Sequence, residues 1–406
     1  MVNVAIMGHG VVGSGVAELL INQNERISKK ICSDISVKYI LDLRTFEGLS
    51  YSDRFITDFN VILADDDIDV VVETMGGLNP AYDFVKKCLL SGKNVVTSNK
   101  ELVAEKGAEL IKIAKDKNVN FMFEASVGGG IPVIRPLTQC LAANDISEIK
   151  GILNGTTNFI LNKMITESMD FAAALKLAQE KGYAEKDPTA DIEGHDACRK
   201  ICILAALTFG KHVYPDQVEC EGITGITLSD IKYANELGYA VKLIGKAKKN
   251  GDGTISVSVS PTLVPFEHLL SNVNGVFNAV SVIGDAVGEV IFYGKGAGKM
   301  PTASAVVADV MDCAKHLDAR KYISWDEGSP DYVKQANENT DRYIYLKTSD
   351  YDRTLAEVKA AFPHNFITGN EQAGEIAFIV YDKPESFIIE NIGNIFAESK
   401  KTFNAL

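Results

Sequence analysis

The segment Glu185–Lys200 reads EKDPTADIEGHDACRK and runs directly into the apolar ICILAALTF. It places five carboxylates and a terminal Lys at the mouth of an apolar helix pattern. Asp196 and Lys200 are four residues apart, so on a helix they share one face. Most pairs with that spacing are exposed ion pairs worth about 0.3–0.5 kcal/mol. Two features point further. Ile201, Leu204, Ala205 and Leu207 leave little of the helix polar, which sets Lys200 at the edge of a core. Glu185, Asp187 and Asp191 precede it in a segment able to fold over the helix start. A Lys partly removed from water beside carboxylates can be tuned to give or take a proton. The remaining acids suit an ammonium group on a substrate.

Three other clusters carry chemical potential. Gly8-His9-Gly10-Val11-Val12-Gly13 is a G-x-G-x-x-G pattern between a strand and a helix pattern, the context that makes it informative. Gly8 permits the tight turn, Gly10 lets the backbone approach a pyrophosphate, and Gly13 lets helix and strand pack closely. Dinucleotide binding is the expected role, with the pyrophosphate on the helix N-terminus. His9 stands at a variable position and is expected as a solvent-facing side chain. Asp42, at the end of the second strand, is a candidate ribose-binding acid that favours NAD. Arg44 can instead receive the 2′-phosphate of NADP, and two exposed loop charges would fit the pattern as well. Thr97-Ser98-Asn99-Lys100 follows a buried strand, at the end of the sheet where ligands bind. Lys100 there can hold a carboxylate or a reacting oxygen, although a loop Lys has the same signature. Glu124–Pro132, EASVGGGIP, can offer backbone carbonyls to a hard cation or act as a hinge.

These residues need a framework that the hydrophobic pattern supplies. NVAIMG, ISVKYILDL, DVVVETMG, NVVTSN and VNFMFEAS read as buried strands. Amphipathic helices stand between several of them, among them AYDFVKKCLLSG and KGAELIKIAKDKN. That alternation predicts a doubly wound parallel sheet over residues 1–135, an α/β fold of Rossmann type. A second α+β domain for substrate binding and oligomerisation is expected over 136–320, where strand-like TISVSVSPTLVP and AVSVIGDAVGEVIFYGKGAG follow two helices. The helix at 301–318 is expected to pack back onto the first domain. Residues 327–340 are polar and aperiodic, a linker. Residues 341–406 read βαββα, a small ferredoxin-like module lacking its last strand unless KTFNAL supplies one.

Composition bounds the class. The 406 residues carry a formal charge of −13 and are 46% hydrophobic, ordinary for a globular protein but unsuited to general nucleic-acid binding. The apolar runs fall short of the about 20 residues that span a bilayer, and the strand pattern beginning at Met1 leaves no room for a signal peptide. Seven scattered cysteines suit reduced thiols, so a cytoplasmic location is expected. Cys198 and Cys202, four apart, read as buried small hydrophobes rather than a metal pair.

Taken together, G-x-G-x-V-G, T-S-N-K, E-A-S-V-G-G-G-I-P, N-G-T-T-N-F-I-L, G-Y-A-E-x-D-P-x-x-D-x-x-G-x-D-A-x-R-K and G-x-G-A-G-x-x-P-T-A resemble homoserine dehydrogenase in content and order, over residues 1 to about 320. That resemblance implies NAD(P)-dependent, reversible reduction of aspartate 4-semialdehyde to homoserine, at a branch point toward threonine and methionine. It implies Lys200 as proton donor, Asp196 as its partner and Lys100 as an assistant between nicotinamide and substrate. Glu185 would bind the substrate ammonium with Asp191 nearby, and Gly155, Thr156 and Tyr183 would line the pocket. The cofactor would contact Gly8, Gly10, Val11, Val12, Gly13, Asp42, Arg44, Thr97, Ser98, Lys100, Gly182, Gly296 and Gly298. The carbonyls of Glu124, Val127, Gly129 and Ile131 would hold a sodium ion. The C-terminal module resembles the ACT regulatory domain, which implies threonine as effector, and the family implies a homodimer or homotetramer. A different oxidoreductase acting on another amino-acid aldehyde, or a silent dinucleotide-binding sensor, would share the same framework.

Overall fold

Short, mostly buried strands rich in valine and isoleucine alternate with helices in the N-terminal part of the chain. In the computed structural model, which describes residues 1–317, 319, 323–334, 339–363 and 365–406, the N-terminal elements are β1 (Val2–Met7), α1 (Val11–Asn22), α2 (Asn24–Ile31), β2 (Ile35–Leu41), β3 (Phe55–Ile56), α3 (Phe59–Ala64), β4 (Val70–Glu73), α4 (Ala81–Leu90), β5 (Asn94–Thr97), α5 (Lys100–Asp116) and β6 (Phe121–Met122). The strands form one sheet in the order β3-β2-β1-β4-β5-β6, parallel throughout. This is the doubly wound order, and its chain reversal falls between β1 and β4, where such folds bind ligands. Of the expected strands, VNFMFEAS pairs over two residues only. Its continuation, Glu124–Ser126, turns into a single 3₁₀ turn.

The chain continues with β7 (Ile146–Ile152), α6 (Gly155–Glu167), α7 (Phe171–Glu180), α8 (Thr189–Ile192), α9 (His195–Phe209), β8 (Glu219–Cys220), α10 (Leu228–Glu236), β9 (Tyr239–Lys249), β10 (Ile255–Pro265), β11 (Phe277–Gly284), β12 (Gly288–Lys295) and α11 (Lys299–Lys315). Strands β9 and β10 form a long antiparallel hairpin from Tyr239↔Pro265 to Lys249↔Ile255. The last elements are β13 (Thr340–Lys347), α12 (Tyr351–Ala361), β14 (Ile367–Asn370), β15 (Glu375–Lys383), α13 (Glu385–Asn394) and β16 (Ser399–Ala405).

The chain divides into two units. One comprises Met1–Ile149, Arg199–Val218 and Val280–Val333, the other Lys150–Cys198, Glu219–Ala279 and Lys334–Leu406. Helix α9 begins in the second unit and continues in the first from Arg199. In the first unit, Val4, Ile6, Val37, Val70, Val72 and Val96 of the sheet pack with Val16 and Leu20 of α1. Ala303, Val306 and Val310 of α11 join that core. Each such valine buried from water contributes about 1.5–3 kcal/mol. The close approach of the two helices needs Gly15, where a Cβ would come within 2.9 Å of the Ala303 side chain.

In the second unit the C-terminal strands run β16-β13-β15-β14, all antiparallel. With α12 and α13 this is a complete βαββαβ ferredoxin-like arrangement. All of KTFNAL but its final Leu406 lies in β16, so the module does not lack its fourth strand. Thr262 and Leu263 of β10 pair in parallel with Asn404 and Ala405 of the same strand. The module has its own core of Ile344, Leu346, Val358, Phe362, Ile376, Phe378, Ile388 and Ile392. Of the stretch 327–340 expected as a linker, residues 335–338 lie outside the described residues, as does residue 318 of the helix expected at 301–318. No helix among the described residues is long and apolar enough to cross a membrane.

Candidate active site

The fingerprint turn is built as its spacing demands. Gly8 adopts φ +95° after β1, and its N–H donates to the Leu41 carbonyl at 2.8 Å. A Cβ on Gly13 would stand 1.9 Å from the Gly8 carbonyl oxygen and 2.6 Å from Thr74 Oγ1, so only glycine fits there. A Cβ on Gly10 would meet no atom within 4 Å, leaving open space over the N-terminus of α1. Val11 is exposed and Val12 packs against the sheet core. The first backbone N–H groups of α1 have no intrahelical partner and attract an anion.

His9 differs from the solvent-facing side chain expected. It is only 6% exposed, and its ring meets Phe46, Tyr51 and Phe55 edge-on. Its Nε2 lies 3.3 Å from Tyr51 Oη. Burial lowers its pKa, so it stays neutral near pH 7. The aromatic partners arrive from the segment before β3 and from β3 itself, 37 to 46 residues further along, which no local pattern reveals. The His9 backbone N–H donates to Asp42 Oδ2 at 2.8 Å. Arg44 clamps the same carboxylate, with its backbone N–H and Nε on Oδ1, both at 3.0 Å, and Nη2 on Oδ2 at 2.8 Å. That bidentate partner holds the Asp42 carboxyl far below the usual carboxylate range.

At the carboxyl end of β4 and β5 a second polar cluster forms. Thr97 Oγ1 donates to Glu73 Oε2 at 2.5 Å, and the N–H groups of Met75 and Gly76 donate to Glu73 Oε1. Glu73 is fully buried, and burial raises its pKa against these hydrogen bonds. Asn99 caps α5 by accepting the Leu102 N–H, while its Nδ2 donates to the Gly77 carbonyl at 2.6 Å. Half-buried Lys100 is thereby fixed as the first residue of α5, with Ser98 half-buried before it. Sequence reasoning missed Glu73. An acid ending the run VVVE was its one signal.

The glycine loop after β6 is equally constrained. The buried Glu124 carboxylate accepts the N–H groups of Val133, Ile134 and Arg135 at 2.6, 2.8 and 2.8 Å. Its own N–H donates to Asp309 of α11 at 2.8 Å. Gly129 has φ +57°, and a Cβ there would stand 2.2 Å from the Gly296 carbonyl oxygen. This brings the 128–130 segment against Gly296 and the start of α11, where Gly298 (φ +118°) is the N-cap. Among the described residues, no hydrogen bond ends on the carbonyl oxygens of Val127, Gly129 or Ile131. Unpaired buried carbonyls are donors a hard cation takes, so these residues fit a sodium ion through backbone oxygens. Among the described residues there is no cluster of three or more His, Cys, Asp or Glu suited to a metal.

The opening stretch folds into a short loop, α8 and the start of α9. Asn154, the N-cap of α6, joins it. Its Oδ1 accepts the Thr157 N–H at 2.8 Å, while Nδ2 donates to Asp191 Oδ1 at 2.7 Å and to Asp196 Oδ2 at 2.8 Å. Two carboxylates from α8 and α9 thus share one amide. Asp196 and Lys200, one turn apart on α9, are 5% and 8% exposed. Thr156 Oγ1 donates to the Tyr183 carbonyl at 2.7 Å, and the Tyr183 ring stands edge-on to Phe159 at 5.0 Å. Gly155 abuts the Val276 carbonyl, where a Cβ would approach to 2.7 Å. Glu185 is exposed, its backbone carbonyl held by Gln179 Nε2, and Gly182 turns at φ +72° two residues before Ala184. Asn154 was not singled out from the sequence. Its signal was an Asn at a strand-to-helix junction, which reads as a cap and nothing more. In the first unit, Arg199 Nη2 lies 3.8 Å from Glu101 Oε1, so the residues adjoining Lys200 and Lys100 are neighbours.

Comparison with known proteins gives the site its context. Residues 8–124 match the family model "Homoserine dehydrogenase, NAD binding domain", and residues 132–311 match "Homoserine dehydrogenase". The homoserine dehydrogenase of Neisseria gonorrhoeae is 47% identical over 320 residues, covering 78% of this chain and 73% of that protein. That of Bacillus subtilis is 37% identical and covers 99% of this chain and 98% of that one. The crystal structure of a homoserine dehydrogenase from Thiobacillus denitrificans superposes with a TM-score of 0.91 at 36% identity, over 100% of this chain and 98% of the other. With that identity along its whole length, on an NAD(P)-binding α/β fold, the chain belongs to the homoserine dehydrogenase family.

Proposed function

We propose that the chain catalyses the reversible, NAD(P)-dependent reduction of L-aspartate 4-semialdehyde to L-homoserine, with Lys200 as the proton donor. The bound nicotinamide supplies the hydride to the aldehyde carbon, or takes it back in the reverse direction. The Lys200 ammonium gives its proton to the developing alkoxide, and in reverse the amine takes the hydroxyl proton. Asp196, held by Asn154, orients Lys200 from one turn away. Lys100 adds positive charge for the oxygen. The substrate ammonium is met by Glu185 and Asp191, and Gly155, Thr156 and Tyr183 line its pocket. Gly8, Gly10, Val11, Val12 and Gly13 receive the pyrophosphate, with Asp42 and Arg44 on the adenosine side. Thr97, Ser98, Gly182, Gly296 and Gly298 complete the cofactor contacts. Carbonyls of Glu124, Val127, Gly129 and Ile131 hold sodium, which ties the glycine loop to the 296–298 segment. The C-terminal module serves as an ACT-like regulator answering threonine, and the enzyme works as a homodimer or homotetramer in the cytoplasm.

The observation that carries this reading is the Asn154 amide shared by Asp191 and Asp196, directly before Lys200. A merely solvated acidic face would not gather two carboxylates on one buried donor. The decisive variant is Lys200→Ala, followed by absorbance of the reduced nicotinamide with homoserine. Its kcat should fall about 10²–10⁴-fold while dinucleotide affinity stays within about threefold. Near-normal turnover would remove Lys200 from the chemistry.

A further inference from the structure

Between Asp196 and Lys200 on α9 stands a cysteine, Cys198, that the reaction does not use. It is 4% exposed. A second cysteine, Cys220, ends β8 and is exposed. Cys220 lies against the turn that opens α9. Its thiol donates to the Glu193 carbonyl at 3.4 Å, and a Cβ on Gly194 would come within 3.0 Å of its sulfur. The Cys198 N–H donates to the Gly194 carbonyl at 2.9 Å, and the Cys198 and Cys220 side chains are hydrogen-bonded to each other. Two thiols thus meet beside the pair of carboxylates that share the Asn154 amide.

Their approach is fixed from two sides. Cys220 pairs with Val259 of β10, and the Glu221 N–H donates to the Val259 carbonyl at 2.8 Å. On the other side the Ile223 N–H donates to the Ile192 carbonyl at 2.8 Å. A Cβ on Gly222 would stand 2.2 Å from that same oxygen, so only glycine fits. A disulfide brings its sulfurs to about 2 Å, closer than any hydrogen-bonded thiol pair. Because β8 is tied to β10, the closing movement falls on the 191–198 segment, which presents Asp191 and Asp196 to Asn154. Misplacing such a segment by about 1 Å lowers a rate by about 100-fold. Exposure sets the order of events: Cys220 meets an oxidant from solvent, and buried Cys198 resolves the product. The hydrogen bond to Cys198, and then burial, push the Cys220 thiol pKa up, so the dithiol persists until oxidant is in excess.

We propose that Cys198 and Cys220 form a redox-modification site, closed by a small-molecule disulfide such as glutathione disulfide and reopened by thiols, and that closing it suppresses turnover. The Cys220 thiolate, its proton lost to water, attacks one sulfur of the oxidant and releases a first thiolate. The Cys198 thiol then gives up its proton, attacks Cys220 Sγ and releases the second. The two protein thiols are oxidised to one disulfide, and the oxidant disulfide is reduced to two thiols. The effect on turnover rests on the catalytic reading above, whereas the bond itself does not. The full chain, treated with glutathione disulfide and then with dithiothreitol, tests both by intact mass, peptide mapping and homoserine turnover. The expected product is a cross-link between Cys198 and Cys220 with no glutathione retained, kcat/KM lowered at least about tenfold, and full recovery on reduction. Cys220→Ser, at an exposed position, should match the reduced parent in Tm and turnover and keep its activity through the same treatment. A chain left reduced, glutathione retained on Cys220, or a bond to any other cysteine would each overturn the proposal. So would a cross-linked chain that turns over within about threefold of the reduced one, or a Cys220→Ser variant inactivated like the parent. A reduced chain that fails to turn over homoserine would refute the catalytic reading instead, and the peptide map would still decide whether the bond forms.

Discussion

Replacing Asn154 separates two roles that one side chain combines. As an N-cap it accepts the Thr157 N–H, and as a clamp it donates to Asp191 and Asp196. Asn154→Ala removes the cap, about 1 kcal/mol. It also removes two hydrogen bonds to ionised groups, about 1.5–3 kcal/mol each when the acceptor stays dry. Asp191 is half-buried and regains water, so only the bond to Asp196 counts in full. The loss should be about 3 kcal/mol, or a fall of roughly 6–12 °C in Tm for a unit of this size. Asn154→Asp keeps the cap, because Asp is as good an N-cap as Asn. It places a third carboxylate where the donor stood, 2.7 and 2.8 Å from the other two. At an effective dielectric near 20, each such contact costs about 6 kcal/mol. The acids must therefore swing apart or bind a proton, and Asp196 leaves its place on the residue-154 side chain. Differential scanning calorimetry and steady-state turnover of homoserine should find the Asp variant's α6 capped and its kcat/KM down about 100-fold or more. An Asp variant turning over within threefold of the parent would refute the clamp.

The two fingerprint glycines should part in the same manner. Gly10→Ala has room for its Cβ, so Tm should hold while dinucleotide Kd rises by about tenfold. Gly13→Ala meets the Gly8 carbonyl at 1.9 Å and should lose both; equal Tm values for the two would contradict the geometry. Lys242 is 1% exposed, donates to the Val273 carbonyl at 2.6 Å, and burial lowers its pKa to about 8. The unfolded chain then binds the extra proton between about pH 8 and 10.5, so stability rises with pH in that window and the burial cost is fully present below it. The stability of the parent relative to Lys242→Met, from urea midpoints, should improve between pH 8 and 10; a flat difference would place Lys242 in water. If the free carbonyls near Gly129 bind sodium, exchanging sodium for tetramethylammonium at constant ionic strength should lower Tm. An unchanged Tm would leave the loop a plain hinge.

Much of the framework was legible along the chain. Buried strands alternating with helices dictate a doubly wound sheet, because each strand must be covered on both faces. The turn after β1 needs glycine at positions 8 and 13 for reasons of local sterics. Asp196 and Lys200 share a face because a helix repeats every 3.6 residues. Tertiary structure alone decided the rest. His9 is buried because Phe46, Tyr51 and Phe55 fold over it. Asp42, free on paper to meet a ribose, is saturated by its neighbour Arg44 and the His9 N–H. Asn154 meets Asp191 and Asp196 across 37 and 42 residues, and KTFNAL becomes a strand because β13 and β10 both offer it an edge. Periodicity records which way a side chain faces. Which distant polar group it meets depends on how the elements pack, and that is where the chemistry of this site was settled.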